Sequence, residues 1–171
     1  MSKNTTGIKL TAFAAAVLSA GMIMSNGAVA GGTTTLTVNA RISGVCQVTT
    51  APALLDFGTI SPSGVANATA ITTFLMKCSN GVTSTASTDD GGLNFSGGTK
   101  RMQHSGTATA FLPYSITYSG DVGFAGAGFG AAAASRTVTI NGIVTPANYN
   151  GALQTTGAQV YTDLVTITVN P

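Results

Sequence analysis

Residues 33–42 read Thr33-Thr34-Thr35-Leu36-Thr37-Val38-Asn39-Ala40-Arg41-Ile42. Leu36, Val38, Ala40 and Ile42 fall on one side of an extended chain; Thr35, Thr37, Asn39 and Arg41 fall on the other. Alternation of period two belongs to a strand with one apolar face. The pattern recurs along the chain. Ala70, Thr72, Phe74, Met76 and Cys78 share a face, as do Leu112, Tyr114, Ile116 and Tyr118, with Pro113 expected at an edge or strand start. Val138 and Ile140 form a shorter example. The cleanest is Val160 to Val169, where Tyr161, Val165, Ile167 and Val169 oppose Thr162, Thr166 and Thr168. Val45–Val48 and Val82–Thr88 read as further strands, and Leu54–Phe57 as a short extended piece. Between them stand turn residues: Gly58 to Gly64, Ser79-Asn80-Gly81, Asp89-Asp90-Gly91-Gly92, and a Gly-rich loop from Ser119 to Gly130. Helical periodicity is nearly absent; Ala131–Ala134 is long enough for one turn only. Many short strands with turn chemistry between them specify an all-β chain, a β-sandwich.

Upstream, Lys3 and Lys9 precede an apolar run from Leu10 to Met24, and Ala28-Val29-Ala30 follows. That order of charge, apolar core and small residues is a secretory signal peptide, residues 1–30, cut after Ala30. Ser19, Gly21 and Ser25 break the run, which falls short of the ~20 apolar residues that span a bilayer. No later stretch approaches that length, so no transmembrane segment is expected in the mature chain. In the remainder, Arg41, Lys77, Lys100, Arg101 and Arg136 balance Asp56, Asp89, Asp90, Asp121 and Asp163. A nucleic-acid partner therefore has no electrostatic footprint. Only 7% of the chain is charged. A surface so poor in charge suits a protein buried in a polymer or coat better than a free monomer.

Cys46 and Cys78 are the two cysteines, and both lie in the exported part. In an oxidising compartment they should pair. The loop they close would stabilise the fold by roughly 3–4 kcal/mol in the chain-entropy model. A metal site would need further ligands nearby, and His104 is the single histidine.

Catalytic chemistry has little to draw on. His104 lies in Lys100-Arg101-Met102-Gln103-His104-Ser105-Gly106, which reads as a polar hairpin tip, and no nucleophile motif accompanies it. Asp89-Asp90 followed by Gly-Gly is a turn before it is an acid pair. Gly126-Ala127-Gly128-Phe129-Gly130-Ala131 matches a dinucleotide-binding string but lacks the strand and helix such glycines require. No catalytic residue, cofactor or metal is expected.

On pattern alone, Thr34–Ile42 is first of all the opening strand of a closed sandwich, which needs no outside partner. The other reading is an arm that pairs with another chain, using backbone bonds for affinity and alternate side chains for specificity. Burying Leu36, Val38 and Ile42 would then give at most roughly 5–9 kcal/mol before ordering costs.

Several segments, taken in order, resemble one family. They are Cys46-Gln47-Val48, Leu55-Asp56-Phe57-Gly58-Thr59-Ile60-Ser61-Pro62, Cys78-Ser79-Asn80-Gly81, Lys100-Arg101-Met102, Leu112-Pro113-Tyr114 and Tyr161-Thr162-Asp163. Together they look like the spore coat protein U domain, which includes subunits of archaic chaperone–usher pili. The resemblance implies an incomplete immunoglobulin-like β-sandwich (residues 44–171) that lacks its last strand, preceded by a donor-strand arm (residues 31–43). Leu36, Val38, Ala40 and Ile42 would be the donor residues. The acceptor edge would carry Tyr161, Val165, Ile167 and Val169, with a strand beginning near Cys46. The implied partners are a periplasmic chaperone, an outer-membrane usher and identical or related pilus subunits. The implied destination is a cell-surface pilus serving adhesion or biofilm formation. A spore or cell coat component of the same fold is the alternative. A carbohydrate-binding tip adhesin would need a second domain and no arm.

Overall fold

The computed structural model describes residues 32–171; the expected signal peptide, residues 1–30, lies outside them. The chain divides between Asn39 and Ala40. In the first unit residues 32–39 carry no strand, and Leu36 and Val38 are 85% and 81% exposed. Alternation defines an apolar face, but a strand exists only with a hydrogen-bonded neighbour.

The second unit holds β1 (Cys46–Thr50), β2 (Ala68–Cys78), β3 (Thr88–Asp89), β4 (Lys100–His104), β5 (Thr107–Ser119), β6 (Arg136–Val144), α1 (Pro146–Tyr149), β7 (Tyr161–Thr162) and β8 (Ile167–Thr168). Six strands form one curled antiparallel sheet in the order β1-β2-β6-β5-β4-β7, and β3 pairs with β8. The chain is all-β, with the layout of an incomplete sandwich. Its core follows from the alternation. Ala70, Thr72, Phe74, Met76 and Cys78 of β2 are all buried, and their neighbours in sequence face out. Phe74 and Met76 pack with Val138 and Ile140 of β6. Leu112, Tyr114, Val144 and Tyr149 form a second cluster. Cys46 stands opposite Cys78 in the β1–β2 ladder, and the two are joined by a disulfide.

Several elements depart from the sequence expectation, each for a local reason. Pro113 lies inside β5, not at its start. Pairing of β5 with β6 runs from Ser115 to Ser119, so Pro113 falls beyond it and breaks no bond on that side. The stretch from Lys100 to His104 is a strand, and only Ser105-Gly106 forms the turn. His104 is buried, its ring edge-on to Tyr161 at 5.0 Å. Val82–Thr88 makes one isolated bridge, Thr83 to Ala125, and only Thr88 enters a strand. The Gly-rich loop explains that: Gly126 donates to the Val82 carbonyl at 2.7 Å, and Gly128 to that of Cys78 at 3.0 Å. A side chain at Gly126 would collide with the Cys78 and Ser79 carbonyls, so the dinucleotide-like string serves close backbone docking. The helix α1 carries Pro146 in its first turn and was not signalled by any periodicity.

Phe74→Ala should lower the unfolding free energy by about 3–5 kcal/mol in urea titration, through the cavity it leaves. Ile71→Ala, on the outer face of the same strand and 68% exposed, should change it by no more than about 0.5 kcal/mol.

Candidate functional site

The segment from Val160 to Asn170 is the source of the site. Its even-numbered residues bond to one side. Ser105 donates to the Val160 carbonyl at 2.9 Å, Leu93 to Leu164 at 3.0 Å, Asp90 to Thr166 at 3.1 Å and Thr85 to Asn170 at 3.0 Å. Thr162 and Thr168 stand opposite Gln103 and Thr88. Successive residues of a strand direct their backbone groups to opposite edges. The odd-numbered residues therefore present theirs to the other edge. Among the described residues, Asp163, Val165 and Val169 make no backbone–backbone bond. Partners change from β4 to β3 along the way, so the alternating segment is recorded as two short strands in two sheets instead of one.

A second rim faces this edge. Residues 51–60 belong to no strand and make no backbone–backbone bond. Leu55, Phe57 and Ile60 turn inward while their neighbours are exposed. Gly142, on the inner face of β6, makes this possible. A Cβ there would lie 2.8 Å from Phe57 and 2.9 Å from Leu55. Phe57 also meets Tyr114 edge-on, with ring centres 6.5 Å apart. Between the rims lies a groove of about 250 Å³, with Ile116, Ile140 and Met102 in its lining. Its lining is mainly apolar, and the second rim has only side-chain partners for its backbone: the Ala53 carbonyl accepts from the Thr72 hydroxyl at 3.1 Å and the Gly58 N–H donates to the Asp56 carboxylate at 2.8 Å.

One charged side chain lines it: Asp163. Its carboxylate accepts from the Tyr114 hydroxyl at 2.7 Å, from the Asn94 backbone at 3.3 Å and from its neighbour Leu164 at 3.0 Å. Gly92 leaves room for it, since any Cβ there would collide with the carboxylate. A parallel link joins the Tyr118 hydroxyl to Asp89 at 2.9 Å, and Lys100 pairs with the same carboxylate at 3.0 Å. Asp90, held below the usual carboxylate range by bonds from Thr166 and Gly92, ties the turn to the terminal segment. Burial, then the bond to the carboxylate, pushes both tyrosine hydroxyls well above their ordinary value of 10.0.

The residues singled out in the sequence separate into two sets. Tyr161, Val165 and Ile167 line the groove together, and Val169 packs on the Phe74 cluster. Leu36, Val38 and Ile42 are exposed, Ile42 at 93%, and Ala40 is exposed as well. The strand near Cys46 exists as β1, and residues 51–60 extend it as the second rim. Gly142, Asn94 and the inward orientation of Asp163 were not legible. A glycine in an alternating stretch was the available signal for Gly142, since it marks a close approach.

A model of the Spore Coat Protein U domain matches residues 32–168. The chain belongs to that family. Spore Coat Protein U domains form a family of pilus- and coat-type structural subunits, not of enzymes. Comparison with curated proteins gives no match. Among the described residues, no helix is long and apolar enough to cross a membrane.

A raised tyrosine value in the fold has a definite sign. The stabilisation is complete below the unfolded value near 10 and is lost as pH rises above it. The domain should therefore hold its stability to about pH 10 and lose it above. Phenolate absorbance followed with circular dichroism checks this: Tyr114 and Tyr118 should ionise only as the sheet unfolds. A Tyr114→Phe, Tyr118→Phe variant should show a shallower alkaline loss.

Proposed function

We propose that this chain is a structural subunit of a surface pilus that polymerises by strand exchange. The arm Thr34–Ile42 of one copy enters the groove of the next. The observation that carries this reading is the groove itself, mainly apolar within and flanked by two rims short of backbone–backbone bonds. An inserted strand supplies what both rims lack: backbone partners for the odd residues of the terminal segment and for those groups of residues 51–60 that no side chain already satisfies, and apolar side chains for the gap. Leu36, Val38, Ala40 and Ile42 have the period such an occupant needs. Their exposure, and membership of a family of pilus and coat subunits, support the same reading.

An open groove of this kind invites wrong pairing. Passage through the periplasm under a chaperone's protection, with an usher exchanging the chaperone for the next arm, follows from this reading. The fibre serves adhesion or biofilm formation.

Material stripped from the producing cell surface and run unboiled on a denaturing gel should give a ladder of multimers that collapses on boiling. Deletion of residues 34–42 should abolish the ladder while monomer persists in the periplasm. Monomer alone from both chains would reject the reading.

A further inference from the structure

Asp163 is out of place in an apolar groove, and its position has a consequence for what enters. Four donors hold its carboxylate: the Tyr114 hydroxyl at 2.7 Å, the Asn94 backbone and side-chain amide at 3.3 and 3.4 Å, and the Leu164 backbone at 3.0 Å. At this level the groove wall is polar and already bonded, with no apolar pit. On either side the wall is apolar again, at Tyr161, Val165 and Ile167.

A strand laid on this edge must direct its apolar face the same way as the odd-numbered residues. The even-numbered arm residues therefore stand opposite them. Leu36, Val38 and Ile42 are all large, and Ala40 alone is small. A large branched side chain opposite Asp163 would press on the carboxylate and disturb its bonds, which is costly for a covered charge. A methyl group covers it without displacing a partner.

Resting on the strand-exchange reading above, the geometry points to Ala40 of the incoming arm standing opposite Asp163 of the accepting copy, with the two strands antiparallel. That register sets Ile42 against Tyr161, Val38 against Val165, Leu36 against Ile167 and Thr34 against Val169. Each large apolar arm residue finds an apolar counterpart, and the odd residues' backbone groups that face the groove gain partners. The parallel direction fails this test. It puts Leu36 opposite Gln159, outside the groove lining, and leaves Ile167 uncovered. Sliding the antiparallel arm by two residues in either direction brings Val38 or Ile42 onto the carboxylate. Asp163 and Ala40 thus act as the key that sets the register of assembly.

The test uses the full chain in the producing cell, with paired cysteines read on the same surface ladder. Residues directly opposed in a ladder lie within disulfide reach, and residues two positions out of step do not. Val38→Cys with Val165→Cys should turn the ladder into one that survives boiling and collapses only with reductant. Val38→Cys with Ile167→Cys, and Val38→Cys with Tyr161→Cys, should leave it sensitive to boiling. Ala40→Leu should reduce multimers at least about tenfold while Ala40→Gly retains them. A boiling-resistant ladder from either of the other pairs overturns the register and leaves strand exchange standing. So does a boiling-sensitive ladder from the Val38–Val165 pair. Absence of any ladder from the unsubstituted chain overturns strand exchange, and the register with it.

Discussion

Backbone N–H and C=O groups demand partners, and along Val160–Asn170 every second residue has them. The even-numbered positions are anchored to Ser105, Leu93, Asp90 and Thr85. The odd-numbered ones face a groove whose opposite rim, residues 51–60, likewise makes no backbone–backbone bond. The rest of the architecture follows from this one-sided edge. A sandwich with both rims joined would have no groove and no place for another strand. With them apart, the core is sound at its centre, where Phe74, Met76 and Val138 are fully covered, and open along one seam. The uncovered seam is therefore where the isolated chain leaves apolar surface and backbone groups without a neighbouring strand.

Keeping the seam open requires the rims to hold their positions without each other. On one side Gly142 lets Leu55 and Phe57 pack down onto β6, and the Cys46–Cys78 disulfide fixes the strand that leads to them. On the other side, polar links from the sheet beneath do the work. Tyr114 reaches Asp163, Tyr118 reaches Asp89, and Lys100 closes on Asp89. In a chain with so few charges, these carboxylates sit at the edge strand and its partner hairpin. Each tyrosine buries its ring in the core and gives its hydroxyl to the edge, so hydrophobic packing and edge placement are coupled through one side chain.

The strand faces were legible because alternation is a local property. Ala70 to Cys78 and Val138 to Ile140 are buried as their pattern requires, and Cys78 is joined to Cys46 as the two cysteines were expected to pair. Neighbours were less legible. Thr33 to Ile42 alternates as cleanly as β2, yet residues 32–39 carry no strand. Val160–Val169, the most regular stretch in the sequence, divides between two sheets. Lys100–His104 reads as a polar tip because its long side chains carry polar ends, although His104 is buried and the segment pairs on both edges.

By itself the sequence determined the all-β class, the inward and outward residues of each strand, the disulfide, and the family to which the chain belongs. These depend on side-chain period, turn chemistry and residue identity, all read along the chain. Only the tertiary structure decided which edges stay unpaired, that residues 51–60 form the second rim, and that Asp163 points into the groove among apolar neighbours. Those facts concern distances between segments far apart along the chain, such as Tyr114 and Asp163, 49 residues apart. Hydrogen bonds across a sheet are made between strands, so no local pattern states whether a given edge has found its partner.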